Sequence, residues 1–176
     1  MSEADVLDNF ESASICHYTL GYKHSSVRVS HQSGGYNLVK VVLSRPCEDF
    51  YFVVSQLHPM FAGQADARGQ TLQRIIVGRV KDPHDSDFAD RPYEFIGASV
   101  HSGCDVYVHC KDQLPAGEYV IFAQRCWDIP GLPEEFTVRT YGAELAELAE
   151  VSDCKAYPFL DFVIRDELLY KMSDKI

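Results

Sequence analysis

Along most of the chain, apolar and polar residues follow the short-range rhythm of β-strands rather than the 3.6-residue rhythm of helices. From His24 to His31 the positions alternate, with Val27 and Val29 on one face and Arg28 and Ser30 on the other. Leu38 to Leu43 and Phe50 to Val54 are nearly continuous apolar runs rich in β-branched and aromatic side chains. Ile75 to Val80, Tyr93 to Ile96, Asp105 to Cys110, Glu118 to Phe122 and Phe136 to Thr140 continue the series, and Ile15 to Leu20 opens it. Turn-forming residues separate the runs: Ser33-Gly34-Gly35, Arg45-Pro46, Asp82-Pro83, Arg91-Pro92, Leu114-Pro115-Ala116-Gly117 and Pro130-Gly131-Leu132-Pro133. Eight or nine strands at this spacing predict an all-β fold, an antiparallel β-sandwich of C2-like or jelly-roll type. No βαβ alternation is present to build a parallel nucleotide-binding sheet.

The end of the chain reads differently. Ala143 to Val151, Ala-Glu-Leu-Ala-Glu-Leu-Ala-Glu-Val, consists of strong helix formers. After Pro158, the residues Phe159, Phe162, Val163 and Tyr170 share one helical face, the stripe of a terminal amphipathic helix that packs on the core. The chain therefore divides into an extension over 1–14, a sandwich over 15–142, and a helical tail over 143–176. Two connections exceed ordinary loop length, His58 to Thr71 and Lys81 to Pro92.

Charge and composition narrow the function. The 176 residues carry 16 Lys and Arg against 26 Asp and Glu, a formal net charge of −10. No cluster of Lys and Arg offsets that field, so nucleic acid is excluded as a partner. No apolar run approaches the about 20 residues of a membrane-spanning helix. The acidic start, Met1-Ser2-Glu3-Ala4-Asp5, is not that of a secretory signal, and the six cysteines are too sparse for a disulfide scaffold. A cytoplasmic protein with reduced thiols is expected.

Catalytic chemistry can be tested by position. Cys126-Trp127 superficially matches a papain-type nucleophile, but all seven histidines precede it, and Pro130 and Pro133 forbid the helix that would lower its pKa. Cys104, His109 and Cys110 lie close in sequence without a zinc-site spacing, and on a strand His109 and Cys110 face opposite sides. Neither a phosphate-binding Gly-rich loop nor a Gly-x-Ser-x-Gly elbow occurs. No catalytic residues are assigned. Arg79 and Arg139 fall on strands, where ion-paired surface positions are expected. Tyr107, Tyr119 and Phe122 read as core or cross-strand packers, and Trp127 as a cap on the sandwich edge.

Calcium is the strongest metal candidate. Lys81 to Asp90 places Asp82, Asp85, Asp87 and Asp90 within ten residues of a turn-prone loop, and Ca²⁺ takes clustered carboxylate oxygens. The Gly and the final Glu of an EF-hand loop are missing. A second acidic stretch carries Asp128, Glu134 and Glu135, and strict strand alternation puts the two loops at opposite ends of the sandwich.

The landmarks in order are Ile15-Cys16-His17-Tyr18, Ser25-Ser26-Val27-Arg28-Val29-Ser30-His31, Gly35-Tyr36-Asn37-Leu38-Val39 and Phe52-Val53-Val54-Ser55-Gln56. Ile75-Ile76-Val77-Gly78-Arg79 and Asp105-Val106-Tyr107-Val108 follow. The most specific are Leu114-Pro115-Ala116-Gly117-Glu118-Tyr119-Val120-Ile121 and Phe136-Thr137-Val138-Arg139-Thr140-Tyr141-Gly142. Over about residues 10 to 170 this series resembles the C2-like domain (domain III) of calpains, as found in calpain-like proteins of protists. The resemblance implies an eight-stranded sandwich that is not itself the protease. It implies contact with a catalytic domain, regulation, and Ca²⁺-dependent phospholipid binding through acidic loops, here Asp82, Asp85, Asp87 and Asp90. The Cys, His and Asn motifs of the calpain core are absent, as is the dense basic surface of lipid-binding C2 domains. The expected function is thus a non-catalytic regulatory or protein-interaction module, part of a larger calpain-like protein or a stand-alone relative. The alternative is a Ca²⁺-dependent phospholipid-binding module.

Overall fold

The computed structural model describes residues 20–30, 36–56, 72–89, 91–102, 104–125, 135–153 and 159. Nine strands follow one another: β1 Lys23–Ser30, β2 Tyr36–Leu43, β3 Phe50–Gln56, β4 Leu72–Val80, β5 Tyr93–Ser102, β6 Asp105–Cys110, β7 Gly117–Arg125, β8 Glu135–Gly142 and β9 Ala146–Glu150. They form two antiparallel sheets, one of four strands in the order β1-β8-β3-β6 and one of five in the order β5-β4-β7-β2-β9. In β1 to β8 every strand has moved to the opposite sheet from its predecessor or formed a hairpin with it, giving the two interlocked Greek keys of a jelly roll. The sandwich expected from the strand count is the fold observed.

The two sheets differ in a way already written into their sequences. In β8 burial alternates strictly, with Phe136, Val138, Thr140 and Gly142 inside and Thr137, Arg139 and Tyr141 outside. Strands β2 and β4 are instead apolar on both faces. The reason is a second cluster on the outer side of the five-stranded sheet, where Leu38, Ile76, Tyr93, Val120 and Phe122 are buried together with Phe159. The Phe159 ring meets Tyr93 edge-on, with centroids 4.9 Å apart. It also lies against Gly78, where a Cβ would collide with it.

Between the sheets, Val29, Phe50, Phe52, Val54, Val106, Val108, Phe136 and Val138 pack against Val39, Val41, Ile75, Val77, Tyr119 and Ile121. Gly142 makes room for this layer, since a Cβ there would strike the Phe50 ring and lie 3.1 Å from Cys47 Sγ. Two connections that cross between the sheets are tied together where Cys47 N donates to Leu114 O (2.9 Å) and Leu114 N to Cys47 O (2.8 Å). The next residues, Pro115 to Tyr119, belong to one of the two most specific landmark segments of the sequence. Their role here is structural. Gly117 adopts a φ of 146°, which disfavours any other residue, and the buried Tyr119 hydroxyl donates to Pro115 O at 2.6 Å.

One sequence expectation is overturned. Ala143 to Val151 is not helical: Ala146–Glu150 is β9, paired antiparallel with β2 from Leu43↔Ala146 to Val39↔Glu150. Nine residues are too few to hold a helix alone, for which about 12 to 15 are needed. The open edge of β2, by contrast, offers a full ladder, and Ala146 is buried while Leu148 packs against the core. Tertiary pairing overrides propensity, and the sandwich runs to Glu150 rather than stopping at 142. The extension over 1–14, the strand expected at 15–20 except Leu20 in a turn, and the tail helix beyond Phe159 lie outside the described residues.

Removing the Phe159 ring uncovers the outer apolar cluster. Phe159→Ala is expected to lower unfolding stability by ~3–5 kcal/mol, read from urea denaturation. A loss below ~1 kcal/mol would show that Phe159 does not seal this face.

Candidate functional site

Among the described residues, the outer face of the four-stranded sheet carries no apolar cover comparable to Phe159. Its composition follows from register. β1 and β3 flank β8 so that His24 and Tyr51 oppose Tyr141, Ser26 and Val53 oppose Arg139, and Arg28 and Ser55 oppose Thr137. On the far side of β3, Tyr51 opposes His109, Val53 opposes Tyr107 and Ser55 opposes Asp105. Because alternate residues of a strand share a face, these pairs form three rows across four strands.

The first row is aromatic throughout: His24, Tyr141, Tyr51, His109. Its His24 and Tyr141 rings stack with centroids 6.0 Å apart, and those of Tyr51 and His109 stack at 4.0 Å with an interplanar angle of 6°. Tyr107, 57% exposed, leans toward Tyr51 at 6.4 Å. Burial under its neighbours, then the charge of Asp49, then Tyr107, raises the pKa of Tyr51, so its hydroxyl stays protonated at neutral pH.

Asp49 anchors one end of this row. It has a positive φ of 51°, a conformation that Asp tolerates better than most residues. Its carboxylate accepts a hydrogen bond from the Tyr22 hydroxyl and lies 2.5 Å from His109 Nε2. The His109 ring is thereby held both by an ionic contact at its edge and by Tyr51 on its face.

Next to the aromatic row lies a cleft of about 400 Å³ lined by His24, Ser26, Arg28, Thr137, Arg139 and Tyr141. Arg28 pairs with Glu135 at 3.5 Å, both side chains being more than half exposed. Arg79, the other strand arginine singled out from the sequence, pairs with Glu94 at 3.5 Å as expected. Arg139 forms no ion pair among the described residues, its cross-strand neighbours being Ser26 and Val53.

The acidic loop is organised internally. Asp82 Oδ1 accepts from His84 N at 2.9 Å, and Lys81 Nζ lies 2.6 Å from Asp87 Oδ2. That hydrogen bond is the main reason the Asp87 carboxyl sits below its ordinary pKa. Asp85 gives its backbone oxygen to Phe88 N and its backbone N–H to Asp82 O. Asp90 lies outside the described residues. Among those described, no three His, Cys, Asp or Glu side chains gather into a metal-sized group. Asp128 and Glu134 also lie outside the described residues. The strand ends that bracket the two loops are at opposite ends of the sheet, since Arg125 pairs with Gln73 and Tyr119 with Arg79. Glu135 begins β8 and pairs with Arg28.

His109 and Cys110 do project to opposite faces, His109 outward onto Tyr51 and Cys110 toward the core. Burial, with Asp112 adding to it, pushes the Cys110 thiol up to about 11. Burial followed by Asp105 raises Cys104. Neither thiol is a ready nucleophile at neutral pH. Sequence reasoning missed the aromatic row altogether, since its members come from four strands remote in sequence. Only the outward parity of each residue was readable in advance.

No family model matches the chain, and no curated protein matches it. Among solved structures, it is similar to a protein from Sulfurospirillum deleyianum at 8% identity, covering 68% of this chain and 96% of that one with a TM-score of 0.40. A chain of the empty-head turnip yellow mosaic virus is 8% identical over 85% of this chain and 94% of its own, TM-score 0.31. A chain of infectious bursal disease virus, Gx strain, is 7% identical over 89% of this chain and 51% of its own, TM-score 0.22. These likenesses are too distant to bear on function, which rests on the site alone. No helix among the described residues is long and apolar enough to cross a membrane.

Two outcomes follow. Burial holds Tyr93 and Tyr119 at about 12, above the about 10 of an unfolded tyrosine. A raised pKa gives stability that is whole below pH 10 and disappears as pH climbs through 12. Urea midpoints are expected to be level from pH 8 to 10 and to fall steeply toward 12, with a shallower fall in Tyr119→Phe; parallel curves would contradict the assignment. Millimolar Ca²⁺ is expected to leave the melting temperature unchanged, because Lys81 already neutralises Asp87 and Asp82 caps a turn. A rise that Asp85→Asn abolishes would instead identify a Ca²⁺ site, since a ligand of the native state must stabilise it.

Proposed function

We propose that this chain is a non-catalytic β-sandwich recognition module that docks a protein partner on the outer face of its four-stranded sheet. One observation carries the proposal: the fold treats its two outer faces differently. The five-stranded sheet hides its apolar side chains beneath Phe159, whereas the four-stranded sheet presents an aromatic row, two arginines and a 57%-exposed tyrosine, Tyr107. Tyrosine and arginine are the residues that most often concentrate binding energy in interfaces. Side chains on paired strands are positioned with little residual freedom, so the entropy lost on docking is small.

A regulatory role agrees with the resemblance to calpain C2-like domains, which makes a calpain-like catalytic domain the first partner to test. A cytoplasmic setting agrees with free thiols at Cys47, Cys104 and Cys110. Ca²⁺-dependent phospholipid binding through the acidic loop is the alternative, and the Ca²⁺ titration above discriminates it.

The direct test uses wild type and the double variant Tyr107→Ser, Arg139→Ser, matched for melting temperature, as baits for a calpain-like catalytic domain and for extracts of the source cells. A protein held by wild type and released by at least tenfold in the double variant is the expected result. Equal retention by both overturns the docking face. Peptidase turnover by the purified chain that His109→Ala abolishes would overturn the non-catalytic reading.

A further inference from the structure

We infer that the cleft between β1 and β8 receives a phosphate monoester carried by the partner, which makes docking dependent on phosphorylation of that partner. The inference rests on the recognition-module reading and adds the chemistry that the face selects.

The register makes Arg139 the centre of the cleft. Ser26 stands directly across from it on β1, and His24 and Arg28 are its two diagonal neighbours on the same strand, a separation of about 7–8 Å that long side chains span. Thr137 and Tyr141 flank Arg139 along β8 itself. All six side chains that line the cleft can donate hydrogen bonds: two guanidiniums, one imidazole and three hydroxyls. None of the six is a carboxylate. In a chain of net charge −10, a cleft lined by two guanidiniums and no carboxylate is a local inversion of the overall field.

Such a set fits an oxyanion, and the charge count favours one with two negative charges. Guanidinium forks match phosphate oxygens bidentately, and a phosphate monoester carries close to two charges at pH 7. Arg28 is free to turn inward, because its 3.5 Å contact with Glu135 is solvent-exposed and such pairs contribute little. Among the described residues Arg139 has no ion pair to give up. Beside Thr137, the buried Ser55 Oγ also has no hydrogen-bond partner among the described residues, and an unmatched buried hydroxyl is uncommon.

Size and setting identify the carrier. The volume of about 400 Å³ corresponds to roughly a dozen water molecules at about 30 Å³ each, more than a bare phosphate fills. The cleft is also continuous with the aromatic row through Tyr141, so a bound phosphate lies at the margin of the docking face. A phosphorylated side chain on a protein segment laid along that face satisfies both parts at once. A free anion satisfies only the cleft, and the general negative charge of the protein works against an anionic bilayer.

The test is calorimetric titration of the whole chain with a phosphoserine pentapeptide flanked by alanines, its unphosphorylated twin, its glutamate twin, inorganic phosphate, and vesicles containing phosphatidylserine. Binding of the phosphopeptide at least about tenfold tighter than either twin and than inorganic phosphate is expected. Arg139→Gln should remove that preference, and Arg139→Lys should restore part of it. Ser26→Glu, which places a carboxylate opposite Arg139, should abolish phosphopeptide binding without lowering the melting temperature. Equal binding of phosphopeptide and twins, equal binding of inorganic phosphate, preference for the vesicles, or full binding by Arg139→Gln overturns the inference. If the phosphopeptide fails while partner retention still depends on Tyr107, the phosphate assignment falls and the docking face stands. If the phosphopeptide binds but Tyr107→Ser and Arg139→Ser together leave partner retention intact, the docking reading falls instead.

Discussion

The antiparallel register of β8 between β1 and β3 sets where every other important side chain goes. With Arg139 opposite both Ser26 and Val53, Phe136 and Val138 enter the core, while Thr137, Arg139 and Tyr141 stand outside. A slip by one residue would reverse that division, burying a guanidinium and exposing two large apolar groups. The cost of such a reversal, a buried unpaired charge together with lost apolar burial, is what pins the register. The aromatic row and the cleft are consequences of the same alignment, so site geometry and core packing cannot vary independently.

The second constraint is the unequal treatment of the outer faces. A strand buried on both sides needs apolar residues along most of its length, and β2 and β4 have them apart from Asn37, Lys40, Gln73, Arg74 and Arg79. That apolar surface must be covered, and Phe159 covers part of it from beyond the last strand. The described residues of the opposite outer face are aromatic, hydroxylated or charged, Val53 excepted. Rings on this face are ordered by one another and by Asp49, which holds Tyr22 and His109 at the end of the row. Order of this kind, already present before any partner arrives, reduces the entropy lost on association.

The acidic loop shows how carboxylates close in sequence take up separate local roles. Four carboxylates in ten residues suggest a cation site, yet a carboxylate also caps turns and pairs with a neighbouring lysine. Asp82 and Asp87 do those things here. On the strands, by contrast, the buried Ser55 Oγ has no hydrogen-bond partner and Arg139 no ion pair among the described residues. Sequence gives no sign of this, because whether a strand arginine is paired depends on the residue across the ladder.

By itself the sequence determined strands β1 to β8 and the antiparallel sandwich they build, since each strand pattern depends on residues close together along the chain. The landmark stretch Leu114 to Tyr119 serves in the structure as a tether, with the Tyr119 hydroxyl donating to Pro115 O. Only the tertiary structure decided that Ala146 to Glu150 is a strand, because the open edge of β2 outweighs the helix preference of alanine, glutamate and leucine. It alone also decided that His24, Tyr141, Tyr51 and His109 form one row, for these residues are brought together by backbone pairing among segments up to about a hundred positions apart, and no local pattern encodes a pairing between distant strands.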